Sequence, residues 1–265
     1  MEKKNISIAA NILYNSRVRL KKIFDLPQYC KPQNNEEAYA IQNSLVKKYL
    51  SVDKKIFVIG KKIGCTNKAA QEQINISSPF YGNIFSTYSS KTSCSISSDL
   101  FFKPFIEPEF SFKMKKTLNF DKAPYTSNQI YDAIDSIIPS IEVVDSRYQD
   151  WTTVGINSLI ADNGANAYWI YGCEKKNINQ FDLSNHSVSL YINNTLISEG
   201  NASNVLKNPL NALSWLVNTM TLHGKSLPIN SYISTGTCTP AIPVNKGDKI
   251  NANFGTLGTV DFNLI

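Results

Sequence analysis

Glu107 and Glu109 stand one residue apart in FIEPEFSF (residues 105–112), among three phenylalanines. Strand alternation turns Phe105, Glu107, Glu109, Ser111 and Lys113 to one face, and Ile106, Pro108, Phe110 and Phe112 to the other. At the strand rise the two glutamates lie roughly 7 Å apart. Pro108 lacks a backbone donor and predicts an edge or irregular strand. Glu142, in PSIEVVD, is a lone carboxylate inside an apolar run. A charge buried there must meet a cation or be neutralised. A lysine or Arg147 is one such partner. The alternative is that the three carboxylates converge and a divalent ion offsets their repulsion. Oxygen-only ligands favour Mg2+ or Mn2+ over zinc.

Lys62, in GKKIGCT, is the candidate for proton chemistry, with Lys61 expected on the opposite face of the same strand. A lysine near an oxyanion stabilises its charge, and a desolvated one shuttles a proton near neutral pH. In STGTCTPAIPV (234–244), Thr235, Gly236, Thr237 and Thr239 offer hydroxyl and N–H groups of the kind that bind a carboxylate; a plain Ser/Thr-rich β-turn is the alternative. Cys238 has no identifiable His/Asn partner and reads as a small core residue. His186 is expected to begin a strand, and His223 to meet a helix C-terminus. Neither belongs to a Ser-His-Asp arrangement.

The elements that must position these groups change character along the chain. Residues 1–54 read as a helical N-terminal segment. Ile8, Ile12, Leu13 and Leu20 share one helical face. In NNEEAYAIQNSLVKKYL, Asn34 or Asn35 can cap, Glu36 and Glu37 suit the first turn, Lys47 and Lys48 the last, and Ala38, Ile41, Leu45 and Val46 form the buried stripe. Residues 55–265 form a β-rich body, with strands in 56–64, FFKPFIEPEFSFKM, SIIPSIEVVD, AYWIYG and HSVSLYINNTLISEG, the last turning at Asn193-Asn194. One helix interrupts them over 208–224, with Asn208 as cap, Pro209 in the first turn and Gly224 at the stop. This order is α+β rather than repeated βαβ.

Composition narrows the function classes. The net charge of +6 comes from scattered lysine pairs without interleaved aromatics, which argues against a nucleic-acid partner. The odd number of cysteines, five, has irregular spacing and no C-x-x-C, which predicts a reduced, cytoplasmic protein. The N-terminal MEKKNISIAANILYNS lacks a signal-peptide cleavage pattern, and no run approaches the ~18 apolar residues of a membrane span.

Taken together, FIEPEFSF, IEVVDSRYQDW, IADNGANAYWIYG, NPLNALSWLVN and GTLGTVDF, with EEAYAIQ and GKKIGCT upstream, closely resemble the 2-keto-4-pentenoate hydratase / 4-oxalocrotonate decarboxylase group of the fumarylacetoacetate hydrolase superfamily. The resemblance covers roughly residues 36–265. It implies a mixed β-sheet rolled into a barrel-like body, a homo-oligomer, and Mg2+ or Mn2+ held by Glu107, Glu109 and Glu142. It implies Lys62 as the catalytic lysine, and the 235–239 loop and position 80 near a small 2-oxo acid substrate. The implied activity is hydration of 2-hydroxypenta-2,4-dienoate or a similar dienol through an enolate, as in aromatic catabolism. Decarboxylation of a 2-oxo dicarboxylate is the second choice, and a homologue that kept the scaffold but lost turnover the third. Two departures stand out. Phe80 replaces the aspartate usual in hydratases of the group, where decarboxylases tend to be apolar. Ala165 replaces the serine of the common ADNAS. The segment DSRY leans towards decarboxylases, whereas DW, NPLNALSWL and FGTLG lean towards hydratases. The glutamate and lysine segments lack a histidine, which argues against the C–C hydrolases of the superfamily.

Overall fold

The computed structural model describes residues 1–73, 76–151 and 153–265. Two helices lead, α1 (Lys3–Val18) and α2 (Asn35–Val52). Asn34 caps α2 by accepting the Glu37 N–H at 2.9 Å. The helix runs a turn past Lys47 and Lys48, so these do not form its last turn; Tyr49 joins Ala38, Ile41 and Leu45 in burial, and Val46 is only partly covered. Leu20 does not share the α1 stripe. The helix stops at Val18, and Leu20 lies beyond it at φ 47, 39 % exposed. Leu13 is buried as expected, Ile8 and Ile12 are only partly covered, and Ala9, Ala10 and Ser16 complete the buried face, because small residues let α1 pack close to α2 and the body.

The body continues as β1 (Val58–Gly64), the short α3 (Lys68–Gln73), β2 (Phe80–Phe85), β3 (Ser89–Lys91), β4 (Cys94–Ile96) and β5 (Phe105–Met114). Then come α4 (Ser127–Tyr131), β6 (Ile134–Val144), α5 (Ile156–Ala161), β7 (Asn166–Tyr171) and the hairpin β8 (Ser187–Ile192) and β9 (Thr195–Asn201). Its turn residues Asn193 and Asn194 are both left-handed, at φ 52 and 67, the conformation that a two-residue hairpin demands. Helix α6 (Pro209–Leu222) is capped by Asn208. Strands β10 (Tyr232–Thr237), β11 (Ile242–Pro243), β12 (Lys249–Asn253) and β13 (Thr259–Leu264) close the chain.

Among the described residues these strands form two sheets. The larger is mixed and runs β2-β1-β10-β5-β6-β7-β3, with β11 beside β5; it curls into a half-barrel. The smaller runs β4-β13-β12-β8-β9. The expected α+β class with a rolled sheet and N-terminal helices is what the chain adopts. Strand β5 is central, so Pro108 does not mark an edge. It sits where the neighbouring strand is irregular, between the β10 pair Thr237–Glu109 and the β11 pair Ile242–Ile106. The Pro108 carbonyl accepts the Cys238 N–H at 3.0 Å there, so the absent proline donor falls in a gap in the ladder.

The two faces of the curled sheet differ as alternation requires. Ile106, Phe110, Phe112, Ile137, Ile141 and Val143 lie in the main core, all at most 1 % exposed; each such side chain contributes roughly 1.5–3 kcal/mol by burial. The opposite face carries Lys62, Glu107, Glu109, Ser111, Ser140, Glu142 and Ser234. No helix among the described residues is long and apolar enough to cross a membrane.

Candidate active site

Register explains how two glutamates on one strand acquire a third. Glu107 of β5 lies directly opposite Glu142 of β6, and Glu109 opposite Ser140. Facing residues of an antiparallel pair point to the same side. The three side chains therefore converge, with one carboxylate oxygen from each within 4.8 Å of the others. On the other side of β5, Ser234 of β10 faces both Ser111 and, across the next ladder, Lys62 of β1. Hydroxyls of Ser111, Ser140 and Ser234 bond one another at 2.6–3.4 Å and seal the floor beneath the acids.

Each carboxylate is held differently. Glu109 Oε2 accepts the Gly236 N–H at 3.1 Å. Gly236 has φ +103, and a Cβ there would fall 1.9 Å from Thr66 Oγ1; only glycine allows this approach. Glu142 Oε1 accepts from Asn166 Nδ2 at 2.8 Å. Its Oε2 lies 3.2 Å from Lys62 Nζ, an ion pair without the alignment of a hydrogen bond. Glu109 Oε1 and Glu142 Oε2 are buried without a hydrogen-bond donor. The cation that Glu142 meets is thus Lys62, while Arg147 pairs with Asp162.

Electrostatics follow from burial. Burial and the Glu142 charge push Glu107 up to about 7, against the pull of Lys62. Burial, then Glu142 and Glu107, raise Glu109 well above the carboxylate range. Glu142 is raised by burial although Lys62 and Asn166 oppose it. Burial alone would lower Lys62, but Glu142, Glu107 and Glu109 outweigh it and hold the ammonium charged. One buried ammonium does not balance three ionised carboxylates, and the raised pKa values of the acids express that deficit. A hard divalent cation fits this all-oxygen set, and the two orphaned oxygens are donor atoms it would satisfy.

Above Glu107 and Lys62 opens a cavity of about 660 Å3. Glu109 and Glu142 lie fully buried behind it. Its walls include Phe80, Phe105, Trp151, Leu159, Thr237 and Thr239. The Phe80 ring packs on Gly64 and Gly164, where a Cβ would approach its carbons to 2.5 and 2.9 Å, and it lies 5.5 Å from Lys62 Nζ. Thr237 and Thr239 of the 235–239 loop line the cavity, and the polar groups of the loop bond within the protein. Thr235 Oγ1 donates to the Phe110 carbonyl, away from the cavity. The N–H groups of Gly236, Cys238 and Thr239 bond Glu109, the Pro108 carbonyl and Thr237 Oγ1. Thr237 and Thr239 hydroxyls donate to the carbonyls of Thr239 and Pro240. Lys61 faces away from Lys62, towards Asn83.

Three residues outside the sequence-based candidates complete the site. The Gly164 carbonyl accepts from Lys62 Nζ at 3.0 Å, Asn166 bonds Glu142, and Thr66 fills the space that Gly236 leaves. The Asn-Gly of ADNG signals a turn, but nothing in the sequence says which carboxylate or lysine that turn meets.

Residues 80–265 match the fumarylacetoacetate (FAA) hydrolase C-terminal family. The chain is 29 % identical over 252 residues to a 2-keto-4-pentenoate hydratase of Paraburkholderia xenovorans, covering 95 % of this chain and 92 % of the relative. It is 31 % identical over 230 residues to the 2-oxo-hept-4-ene-1,7-dioate hydratase of Escherichia coli, covering 85 % of each. Among solved structures it is similar to 4-oxalocrotonate decarboxylase from Pseudomonas putida G7, complexed with magnesium and adipate. There the TM-score is 0.92 at 25 % identity, over 100 % of this chain and 99 % of that one.

Proposed function

The chain belongs to the fumarylacetoacetate hydrolase family, and we propose that it is a divalent-metal-dependent hydro-lyase of the 2-keto-4-pentenoate hydratase type. Its substrate is a small 2-oxo acid dienol such as 2-hydroxypenta-2,4-dienoate, to which water adds to give 4-hydroxy-2-oxopentanoate. The observation that carries this reading is the trio Glu107, Glu109 and Glu142, with two orphaned oxygens, at the foot of a substrate-sized cavity beside a charged lysine. The trio would hold Mg2+ or Mn2+, which supplies Lewis-acid polarisation to a 2-oxo acid. The relatives' names and the magnesium in the decarboxylase structure support the same assignment.

The chain's own groups have separable tasks. Lys62, held at Nζ by the Gly164 carbonyl, keeps a proton in reach of a substrate carbon and opposes enolate charge. Glu109 and Glu142 sit where bulk water does not reach them. Phe80, Thr237 and Thr239 form substrate walls, whereas Thr235 and Gly236 hold the strand and Glu109. The five cysteines are free, which supports a reducing, cytoplasmic setting. A homo-oligomer is part of this reading, and light scattering tests it.

One observation favours a 2-oxo acid decarboxylase instead. Among the described residues no aspartate or histidine lines the cavity, and a phenyl ring occupies the space beside Lys62. Hydration needs a base to activate water, and loss of CO2 from a 2-oxo dicarboxylate does not. An ultraviolet assay with purified protein and Mg2+ separates the readings. Consumption of the dienoate, lost in Glu107→Ala, supports hydration. Release of CO2 from 4-oxalocrotonate overturns it in favour of decarboxylation, and inactivity on both substrates points to a binding homologue.

A further inference from the structure

The turn joining α5 to β7 holds three consecutive left-handed residues: Asn163, Gly164 and Ala165, at φ 57, 65 and 57. A non-glycine residue in this conformation costs roughly 1–2 kcal/mol. It persists only where the surroundings over-determine it, and here every residue of the turn is tied. Asp162 pairs with buried Arg147. The Asn163 side chain exchanges three hydrogen bonds with Asn83, at 2.8–2.9 Å. The Ala165 carbonyl accepts the Asp145 N–H at 2.9 Å. The Asn166 carbonyl accepts from Arg17 Nη1 at 2.9 Å and Arg147 Nη1 at 3.2 Å.

The turn points two groups at the site: the Gly164 carbonyl at Lys62, and the Asn166 amide at Glu142. By occupying Oε1 of Glu142, Asn166 leaves Oε2 for the ion pair with Lys62. The terminal torsion of a glutamate is otherwise broad, so this bond fixes which oxygen is turned to Asn166 and which to Lys62. Arg17 reaches the turn from α1, 149 residues away in sequence. Its fork spans the carbonyls of Asn166 and Ala167, with the guanidinium carbon 4.0 Å from the Tyr88 ring centroid. Lysine cannot bridge two carbonyls in this planar way.

We propose that Asn166 is the positioning residue that orients Glu142 within the carboxylate trio, and that Arg17 of the N-terminal helix fixes Asn166, making that helix part of the site. This rests on reading the trio as a divalent-ion site, and the test separates the two. Calorimetric titration of the full-length, metal-stripped protein with Mn2+ is run on wild type, Glu109→Gln, Asn166→Leu, Arg17→Ala, Arg17→Lys and Leu13→Ala. Thermal melts confirm that each variant is folded, and Asn166→Ala replaces Asn166→Leu if the latter is not.

Loss of a hydrogen bond to a ligating group typically weakens metal binding about 10- to 100-fold, and that loss is expected for Asn166→Leu. Arg17→Ala shifts Kd in the same direction by less, and Arg17→Lys does not restore it. Leu13→Ala loosens the packing of α1 without touching the fork and leaves Kd unchanged. No Mn2+ uptake by wild type would overturn the metal reading itself. Uptake by wild type that is lost in Glu109→Gln but unaltered in Asn166→Leu overturns the positioning role alone. A Leu13→Ala effect as large as that of Arg17→Ala overturns the role of Arg17.

Discussion

Replacing Gly236 with alanine perturbs the trio from behind, through one added methyl. The backbone there is at φ +103, and the new Cβ would lie 1.9 Å from Thr66 Oγ1 and 2.9 Å from Thr66 Cβ. Thr66 is 1 % exposed, so its side chain has no solvent to retreat into. Holding alanine in a sparsely populated conformation costs about 1–3 kcal/mol, and forcing a methyl into packed space about 1–3 kcal/mol more. Unfolding entropy is about 2.1 cal/mol/K per residue. Over 265 residues it converts the combined loss into a melting point roughly 4–11 °C lower. The backbone shift also carries the Gly236 N–H away from Glu109, so Mn2+ affinity falls with stability.

Gly247→Ala is the matched control, because Gly247 has φ +95 but nothing within 4 Å of the added Cβ. It suffers the conformational cost alone and leaves Mn2+ binding unchanged. Scanning calorimetry of both variants, of Thr66→Ala and of Gly236→Ala combined with Thr66→Ala separates the clash from the backbone cost. Removing the Thr66 hydroxyl and methyl should return at least about 1 kcal/mol of coupling. If Gly236→Ala melts no lower than Gly247→Ala, or the double variant shows no coupling, Thr66 does not require glycine at position 236.

Other outcomes follow from the same geometry. Lys62→Met should lower kcat by roughly 10²- to 10⁴-fold in steady-state assays of whichever reaction is found, while Lys61→Met, on the opposite face, stays near wild type. Lys61 meets Asn83 and Tyr81 of β2, with Lys225 nearby; burial and then the Lys225 charge push it down to about 7 from 10.5. The unfolded chain therefore retains this proton where the folded chain has lost it, so stability rises as pH climbs from about 7 towards 10.5. Melting curves across that range should show this slope in wild type, and Lys61→Met should flatten it. Ala165→Gly should relieve left-handed strain at φ 57 and stabilise by up to about 1 kcal/mol in urea melts; Ala165→Val should do the reverse.

What could be read in advance was whatever depends on a short period or a local cap. Strand alternation is fixed at two residues, so Glu107 and Glu109 sharing a face followed from spacing alone. Asn34 and Asn208 announced helix starts because capping is settled within three residues. Helix ends were less legible: Lys47 and Lys48 suit a last turn, but buried Tyr49 draws α2 onward by packing that the local sequence does not show. Leu20 fits the helical period, yet α1 ends before it. Pro108 suggests an edge or an irregular strand, because an unpaired donor site is the way to lodge proline in a sheet; the ladder gap at the change from β10 to β11 is the irregular case. Least legible were Asn166, Gly164 and Arg17. Their roles come from a chain reversal and from partners 24, 102 and 149 residues away.

These unread residues are where the fold resolves a conflict of its own. Glu107 and Glu142 are like charges directly across a central ladder, an arrangement that destabilises a sheet, and Glu109 is fully buried beside them. A chain selected for stability alone would place apolar residues there. The sheet tolerates the acids because two of them have a dedicated neighbour, the Gly236 N–H for Glu109 and Asn166 for Glu142, while Lys62 answers the shared charge. Two of these three supports require left-handed backbone, at Gly236 itself and at the 163–165 turn that presents Asn166 and the Lys62 acceptor. The conformational cost thus lies in the supporting loops, while the strands that carry the acids keep a regular register from Phe105 to Lys113. Rigid strands can hold three carboxylates at fixed separation only if their repulsion is balanced from outside the strands. That is why the site depends on a turn after α5, a glycine in β10 and, through Arg17, a helix at the far end of the chain.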